Sequence, residues 1–238
     1  METLKGKRVL ITGASGSIGS SAAHLIANSG AIVYITGRNE ERLQATATKC
    51  QLPSNRVFVS DITNENSVKE IASTILQDGG PIDILINAAG IGIIKPIEAL
   101  STEDFQKSIA INLMAPFYLI QSFLPGMKEN KKGLIINIPG ILGKTPMAGA
   151  TAYSASKYGL NGMMKSLREE LKRTDIRITQ LFLGGADTHF WDTIDLRVQR
   201  DKMIVAEEAG RAIWFLCQQP LSGVVSEMVL QPFNHQAI

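Results

Sequence analysis

The sequence predicts an α/β fold, a doubly wound parallel sheet of about seven strands with helices on both faces. Three observations carry that prediction. Short apolar runs alternate with amphipathic helical stretches along nearly the whole chain, the pattern of right-handed crossovers onto a parallel sheet. The first run ends in a glycine-rich turn that opens a helix. The fourth run, Ile82 to Ile86, is almost wholly apolar, as a strand covered on both faces should be.

Taken in order, Val9 to Thr12 is the first strand, and Gly13-Ala14-Ser15-Gly16-Ser17-Ile18-Gly19 follows it. The helix after this turn carries Ala22, Ala23, Leu25 and Ile26, with Gly30 placed as its stop. Ala31 to Thr36 is a strand, Asn39 to Cys50 a helix and Val57 to Ser60 a strand. Thr63 to Gln77 is a helix with Val68, Ile71, Ala72 and Ile75 on one face. Ser101-Thr102-Glu103-Asp104 supplies an N-cap hydroxyl and acidic first-turn residues. A helix is expected from there to about Lys128, bent or divided by Pro116 or Pro125. Leu134 to Ile138, Ile176 to Phe182 and Val225 to Leu230 complete the strands, and Ala152 to Arg173 and Glu207 to Gln218 the helices. Thr188 to Ala206 has weak periodicity and carries Phe190 and Trp191, which reads either as a flap over a pocket or as aromatics packed on the body. With no linker, repeat or low-complexity segment, one domain over residues 1–238 is expected.

Composition narrows the function. Apolar residues make up 45%, charged residues 19%, and the net charge is +2. That balance gives no reason to expect a nucleic-acid or anionic-membrane partner. No signal-like core and no run of membrane-spanning length is read, so a soluble cytoplasmic protein is expected. Cys50 and Cys217 stand in no paired spacing, and His24, His189 and His235 in no metal-ligand spacing, so neither a disulfide nor a metal is expected.

The glycine-rich turn between first strand and first helix suits a dinucleotide pyrophosphate, because backbone amides and the helix N-terminus face the anion. After the second strand stands Gly37-Arg38-Asn39, with no acidic residue at 36–38. An acid there would select NAD, whereas Arg38 suits the NADP 2′-phosphate, so NADP(H) is favoured over NAD(H). Asp61 is a candidate either for the adenine amino group or for capping the next helix. In Tyr153-Ser154-Ala155-Ser156-Lys157, helical spacing sets phenol and ammonium on one face. A neighbouring cation favours the phenolate, which suits Tyr153 to acid–base work.

Together these residues resemble the short-chain dehydrogenase/reductase family over nearly the full length. Thr12-Gly13 through Gly19, including Ser15, Ser17 and Ile18, matches its nucleotide motif, and Asn87-Ala88-Ala89-Gly90 the motif after its fourth strand. Asn112, Tyr153 and Lys157 match three members of its catalytic tetrad, and Gly184 and Thr188 the segment that meets the nicotinamide end. The resemblance implies a Rossmann-type oxidoreductase that moves hydride between NADP(H) and a ketone or secondary alcohol. Tyr153 would exchange the proton with the substrate oxygen. Lys157 would hold the nicotinamide ribose and lower the Tyr153 pKa. Asn112 would open its helix and hold a water. A homodimer or homotetramer is implied as well, packed through the helices at 101–128 and 152–173.

Three positions depart from the family pattern. Ser17 stands where a glycine is usual, and Leu183 where proline usually precedes Gly184. The family's catalytic serine lies thirteen residues before the tyrosine, and that position is Gly140, with no hydroxyl between Ile138 and Lys144. Losing such a donor costs on the order of 10²–10³ in rate. Thr145, Thr151 or a water would have to substitute. Two readings follow: an NADPH-dependent carbonyl reductase with some compensation for Gly140, or an NADP-binding scaffold of weak or no activity. If the site is merely weakened, Gly140→Ser should raise turnover. Ile91, Ile93, Ile94, Leu142, Met147, Phe190 and Trp191 are candidate pocket residues and suit an apolar ketone or a 3-oxoacyl thioester.

Overall fold

A computed structural model of the chain describes residues 1–233. Seven parallel strands form the central sheet: β1 (Arg8–Thr12), β2 (Ile32–Gly37), β3 (Val57–Val59), β4 (Ile84–Asn87), β5 (Lys132–Asn137), β6 (Asp175–Leu183) and, last in sequence, β9 (Glu227–Leu230). Their order is β3-β2-β1-β4-β5-β6-β9. The direction of winding reverses between β1 and β4, which leaves a crevice beyond their carboxyl ends.

Helices cover both faces. On one, α1 (Ser17–Asn28), α2 (Glu40–Lys49) and α7 (Ala206–Leu216) enclose a core with Val9, Ile11, Ile35 and Ile86. On the other, α3 (Glu65–Gly79), α4 (Thr102–Ile109), α5 (Ala115–Glu129) and α6 (Thr151–Leu171) enclose Leu10, Tyr34, Leu85 and Ile135. Successive residues of β1 thus feed opposite cores, as strand alternation requires. The seven expected strands are the seven of this sheet. Two more, β7 (Ala186–Asp187) and β8 (Ile204–Val205), pair with each other across the 188–206 segment. At two residues each they carry no readable alternation.

The long helix expected from Ser101 is divided at neither proline. It widens into a π-helical turn over Ala110–Met114, just before Pro116. Lacking an N–H, Pro116 cannot donate to the Asn112 carbonyl four residues back. Pro125 sits inside α5 without ending it. It frees the carbonyl of Gln121, which is exposed and open to solvent. By length and composition alone, Thr102–Glu129 would pass for a membrane-crossing helix, against the expectation that no run approaches that length. Its Leu119, Ile120, Phe123 and Met127 instead bury against the sheet.

Apolar residues of α6 raised the question of a partner subunit. Leu160 and Met164 are buried, and Met163 and Leu167 pack against the same core, so this face meets its own sheet. Cys50 and Cys217 are buried free thiols, and burial raises the Cys50 thiol to about 11. Of the C-terminal residues 232–236, only Pro232 and Phe233 fall within the described residues, and His235 lies outside them.

Candidate active site

The crevice beyond β1 and β4 is a cavity of about 460 Å³, continuous in its lining with a second of about 250 Å³. Gly13, Gly16, Arg38 and residues 88–91 line both. At the start of the crevice the backbone sets the shape. Gly13 has φ +70, and a Cβ there would lie 2.7 Å from the Ala89 backbone. Only glycine permits both the turn and that approach. Thr12 binds the two crests together: its Oγ1 accepts from the Ala89 N–H (3.2 Å) and donates to the Ile86 carbonyl (3.4 Å).

Gly16 is the N-cap of α1 and supplies no side-chain cap. The first-turn amides of Ser17, Ile18 and Gly19, all lining the cavity, are free for an anion at the positive end of the helix. Ser15 and Gly37 line the smaller cavity with Arg38, and Arg42, in the first turn of α2, joins Arg38 in lining the larger. Arg42 escaped the sequence reading because it lies inside a polar helix. Its place in the first turn of the helix that follows Arg38 was the available signal. These features fit a dinucleotide, with the Arg38 and Arg42 cations at the cavity wall.

Asp61 does not cap the next helix. Asn64 is the N-cap of α3, and Asp61 Oδ1 accepts from the Thr63 N–H (3.0 Å) and hydroxyl (2.8 Å). Partial desolvation opposes the charge, but the Thr63 bonds and Arg38 hold the Asp61 carboxyl below its usual range. Its neighbours Ser60 and Ile62 line the smaller cavity, and Asp61 itself does not. Ala88 and Gly90 line both cavities, while Asn87 lies behind them and donates from Nδ2 to Asn137 Oδ1 (2.8 Å).

The far end of the larger cavity is built by α6. Tyr153, Lys157, Gly184 and Thr188 all line it. Lys157 is 5% exposed and donates from Nζ to the Ile138 carbonyl (3.0 Å), 5.6 Å from the Tyr153 ring centroid. Asn112 stands behind them in the π-helical turn. Its Oδ1 accepts from the Ile91 N–H, and its Nδ2 donates to the Ile91 carbonyl and to Ser156 Oγ, each at 3.0 Å. It therefore fixes the segment after β4 against α6.

One expectation is reversed here. Lys157 was expected to lower the Tyr153 pKa, but burial pushes the phenol well above its ordinary range. Burial also pulls Lys157 down from 10.5 to about 8. Desolvation disfavours both charged forms, and at the phenol it outweighs the neighbouring ammonium.

Gly140 faces the phenol with φ +70, and a Cβ there would lie 3.4 Å from Tyr153 Oη and 3.6 Å from the Leu183 carbonyl. The backbone turn itself therefore calls for glycine. Gly140→Ser would be strained, so it does not simply restore a missing hydroxyl. Thr145 and Thr151 are exposed and line neither cavity, which removes both as substitutes. Leu183 continues β6 to its pairing with Leu230, and the Gly184 N–H donates to the Leu230 carbonyl (2.8 Å). Leu183 thus pairs as part of the strand, directly before Gly184.

Phe190 and Trp191 pack rather than hang free. Phe190 meets Tyr153 edge-on at 5.7 Å and Trp191 at 5.0 Å, and Trp191 Nε1 donates to the Ala186 carbonyl (2.9 Å). Trp191, Ile194, Met203 and Ile94 form a small core over the cavity. Thr188 caps the turn at 189–193 by accepting from the Phe190 N–H (3.2 Å). Ile91, Ile94, Leu142, Phe190 and Trp191 line the cavity as expected, whereas Ile93 does not and Met147 packs behind the aromatics. His189 reaches the cavity edge but pairs through Nδ1 with Asp192 (2.8 Å).

Comparison with known proteins agrees with this architecture. The short chain dehydrogenase family profile matches residues 7–198. An uncharacterized oxidoreductase of Staphylococcus saprophyticus is 34% identical over 235 residues, covering 98% of this chain and 100% of the relative. Among solved structures, a metagenomic short-chain oxidoreductase in complex with NADP superposes with a TM-score of 0.83 at 29% identity, over 97% of this chain and 99% of its own. Serine dehydrogenase from Escherichia coli does so with a TM-score of 0.83 at 28% identity, over 94% and 97%. The likeness runs along nearly the whole chain, and the protein belongs to the short-chain dehydrogenase family of oxidoreductases.

Proposed function

We propose that the protein is a cytoplasmic, single-domain NADPH-dependent reductase of an apolar ketone, with Tyr153 as the proton donor. The observation that carries this reading is the Tyr153 phenol at the inner end of the crevice, beside Lys157 and under the apolar Phe190–Trp191 cover. A phenol protonated at neutral pH can give its proton to a substrate oxygen as hydride arrives.

The dinucleotide would be held at Gly13 and the first turn of α1, with Arg38 and Arg42 receiving the 2′-phosphate. Ala88, Gly90, Gly184 and Thr188 would border its nicotinamide end. When bound, the cofactor supplies the hydride. Tyr153 then places its proton on the substrate oxygen, and Lys157, near 8, can return a proton toward the phenol at physiological pH. Asn112 holds the Ile91 segment in place, and it would hold a water linking Lys157 to solvent. Ile91, Ile94, Leu142 and Trp191 exclude water and favour a neutral apolar substrate. Exposed Phe105, Phe117 and Tyr158 on α4, α5 and α6 support the expected homo-oligomer.

Gly140 specifically favours a second reading, a nucleotide-binding protein with little turnover, because no hydroxyl assists Tyr153. The two separate in one experiment. NADPH and NADH are titrated against purified protein, then NADPH consumption is followed with a panel of aliphatic and aryl ketones. Tight NADPH binding with turnover supports the reductase. Tight binding with no turnover across the panel supports the second reading.

A further inference from the structure

Helix α6 carries a third polar side chain on the stripe that bears Tyr153 and Lys157. Asn161 follows Lys157 at the same four-residue spacing, so all three lie along one face. Each meets the segment that follows β5. Tyr153 faces Gly140, Lys157 donates to the Ile138 carbonyl (3.0 Å), and Asn161 Nδ2 donates to the Gly143 carbonyl (3.0 Å). Gly143 also lies directly on α6: a Cβ there would stand 3.2 Å from the Lys157 carbonyl oxygen.

Asn161 is itself held in place. Gln180 on β6 donates from Nε2 to Asn161 Oδ1 (3.0 Å). Asn161 is 7% exposed and Gln180 0%, and Gln180 Oε1 has no partner among the described residues. A buried amide with an unanswered acceptor is costly where an apolar residue would pack, and its strand neighbours Leu181, Phe182 and Leu183 are apolar. The anchored segment, Pro139-Gly140-Ile141-Leu142-Gly143, has no polar side chain. Its backbone closes one short turn, Gly143 N–H to the Gly140 carbonyl (3.1 Å), and polar anchoring from α6 falls on its backbone carbonyls.

We propose that Asn161 and Gln180 are positioning residues, a buried amide pair that fixes the Pro139–Gly143 segment against Tyr153 and Lys157. The proposal rests on the reading of Tyr153 and Lys157 as the proton-handling pair. In this site, carbonyl anchoring from α6 sets the geometry of a segment whose own side chains supply no hydrogen bond.

The test compares full-length wild type with Asn161→Leu and the near-isosteric Gln180→Met. Modification of Lys157 by a small amine-reactive reagent is followed against pH by mass spectrometry. Loosening the segment admits water to Lys157, so its titration midpoint is expected to rise by roughly half a pH unit or more in Asn161→Leu, and less in Gln180→Met. Ketone turnover should fall about 10-fold or more, with NADPH affinity and ketone KM held within about 3-fold, since displacement of a reacting group acts on kcat. An unchanged Lys157 midpoint in folded variants would overturn the proposal, whatever their melting temperatures. Should wild type reduce no ketone while the midpoint still shifts, the reductase reading fails and the positioning role stands. Gln180→Met, one bond removed from the segment, decides the matter if Asn161→Leu does not fold.

Discussion

The two ends of the crevice are built by different means. Around Gly13 the shape is set by backbone: a left-handed glycine, an uncapped helix N-terminus and two strand crests tied by Thr12. Around Tyr153 it is set by side chains from α6, the π-helical turn, the segment after β5 and the aromatic cover, which meet only in the folded molecule. The first end depends on local rules that tolerate few alternatives. The second can lose a hydroxyl at Gly140 and keep its frame, because the frame hangs on α6 and not on that residue.

Breaking the backbone end should cost most. Gly13→Ala puts a Cβ within 2.7 Å of the Ala89 backbone. With left-handed strain added, it should lower unfolding stability by roughly 2–5 kcal/mol, seen in denaturant melts, and weaken NADPH binding by about 100-fold or more. A Gly13→Ala protein with native affinity would show that the turn is not built as described.

Breaking the side-chain end should act with the opposite sign on stability. Lys157 is shifted from 10.5 to about 8 by burial, so the unfolded chain binds more protons between those values. Stability therefore rises with pH across that window, and the full penalty, about 3 kcal/mol, applies below it. Lys157→Met should raise the stability of the cofactor-free protein by up to about that amount at pH 7. The gain should fade toward pH 10.5 while turnover is lost. Melts at pH 7 and pH 10 check the sign.

Smaller effects sharpen the contrast. Arg38→Ala and Arg42→Ala should each weaken NADPH binding by roughly 10- to 100-fold, as for charged hydrogen bonds worth about 1.5–3 kcal/mol, and leave NADH nearly unchanged. Equal losses for both cofactors would assign the arginines elsewhere. Gly140→Ser should cost about 1–2 kcal/mol of stability from its left-handed φ and yield no large gain in turnover. A strong gain would mean that the segment relaxes and that the missing hydroxyl was the main deficit.

How far the sequence foretells this molecule follows the same division. The strand–helix alternation, the glycine turn, Arg38 and the Tyr–Lys spacing are local patterns, and each is where the periodicity places it. The π-helical turn was expected as a proline bend, because a widened turn leaves no periodic trace beyond the missing N–H of Pro116. The raised Tyr153 pKa was missed because spacing reports the neighbouring charge and not the burial that outweighs it. Thr145 and Thr151 looked available only because exposure is invisible in sequence. Asn161 and Gln180, nineteen residues apart and on different elements, become a pair only when β6 docks beneath α6.

The central claim is that Tyr153 donates the proton from a site lacking the usual hydroxyl. Single-turnover ketone reduction by NADPH-loaded protein tests it most directly, wild type against Tyr153→Phe. A fall of about 10²–10⁴ in the reduction rate with NADPH affinity unchanged is predicted. Equal rates for the two proteins, or a wild type that holds NADPH and transfers no hydride, would contradict it.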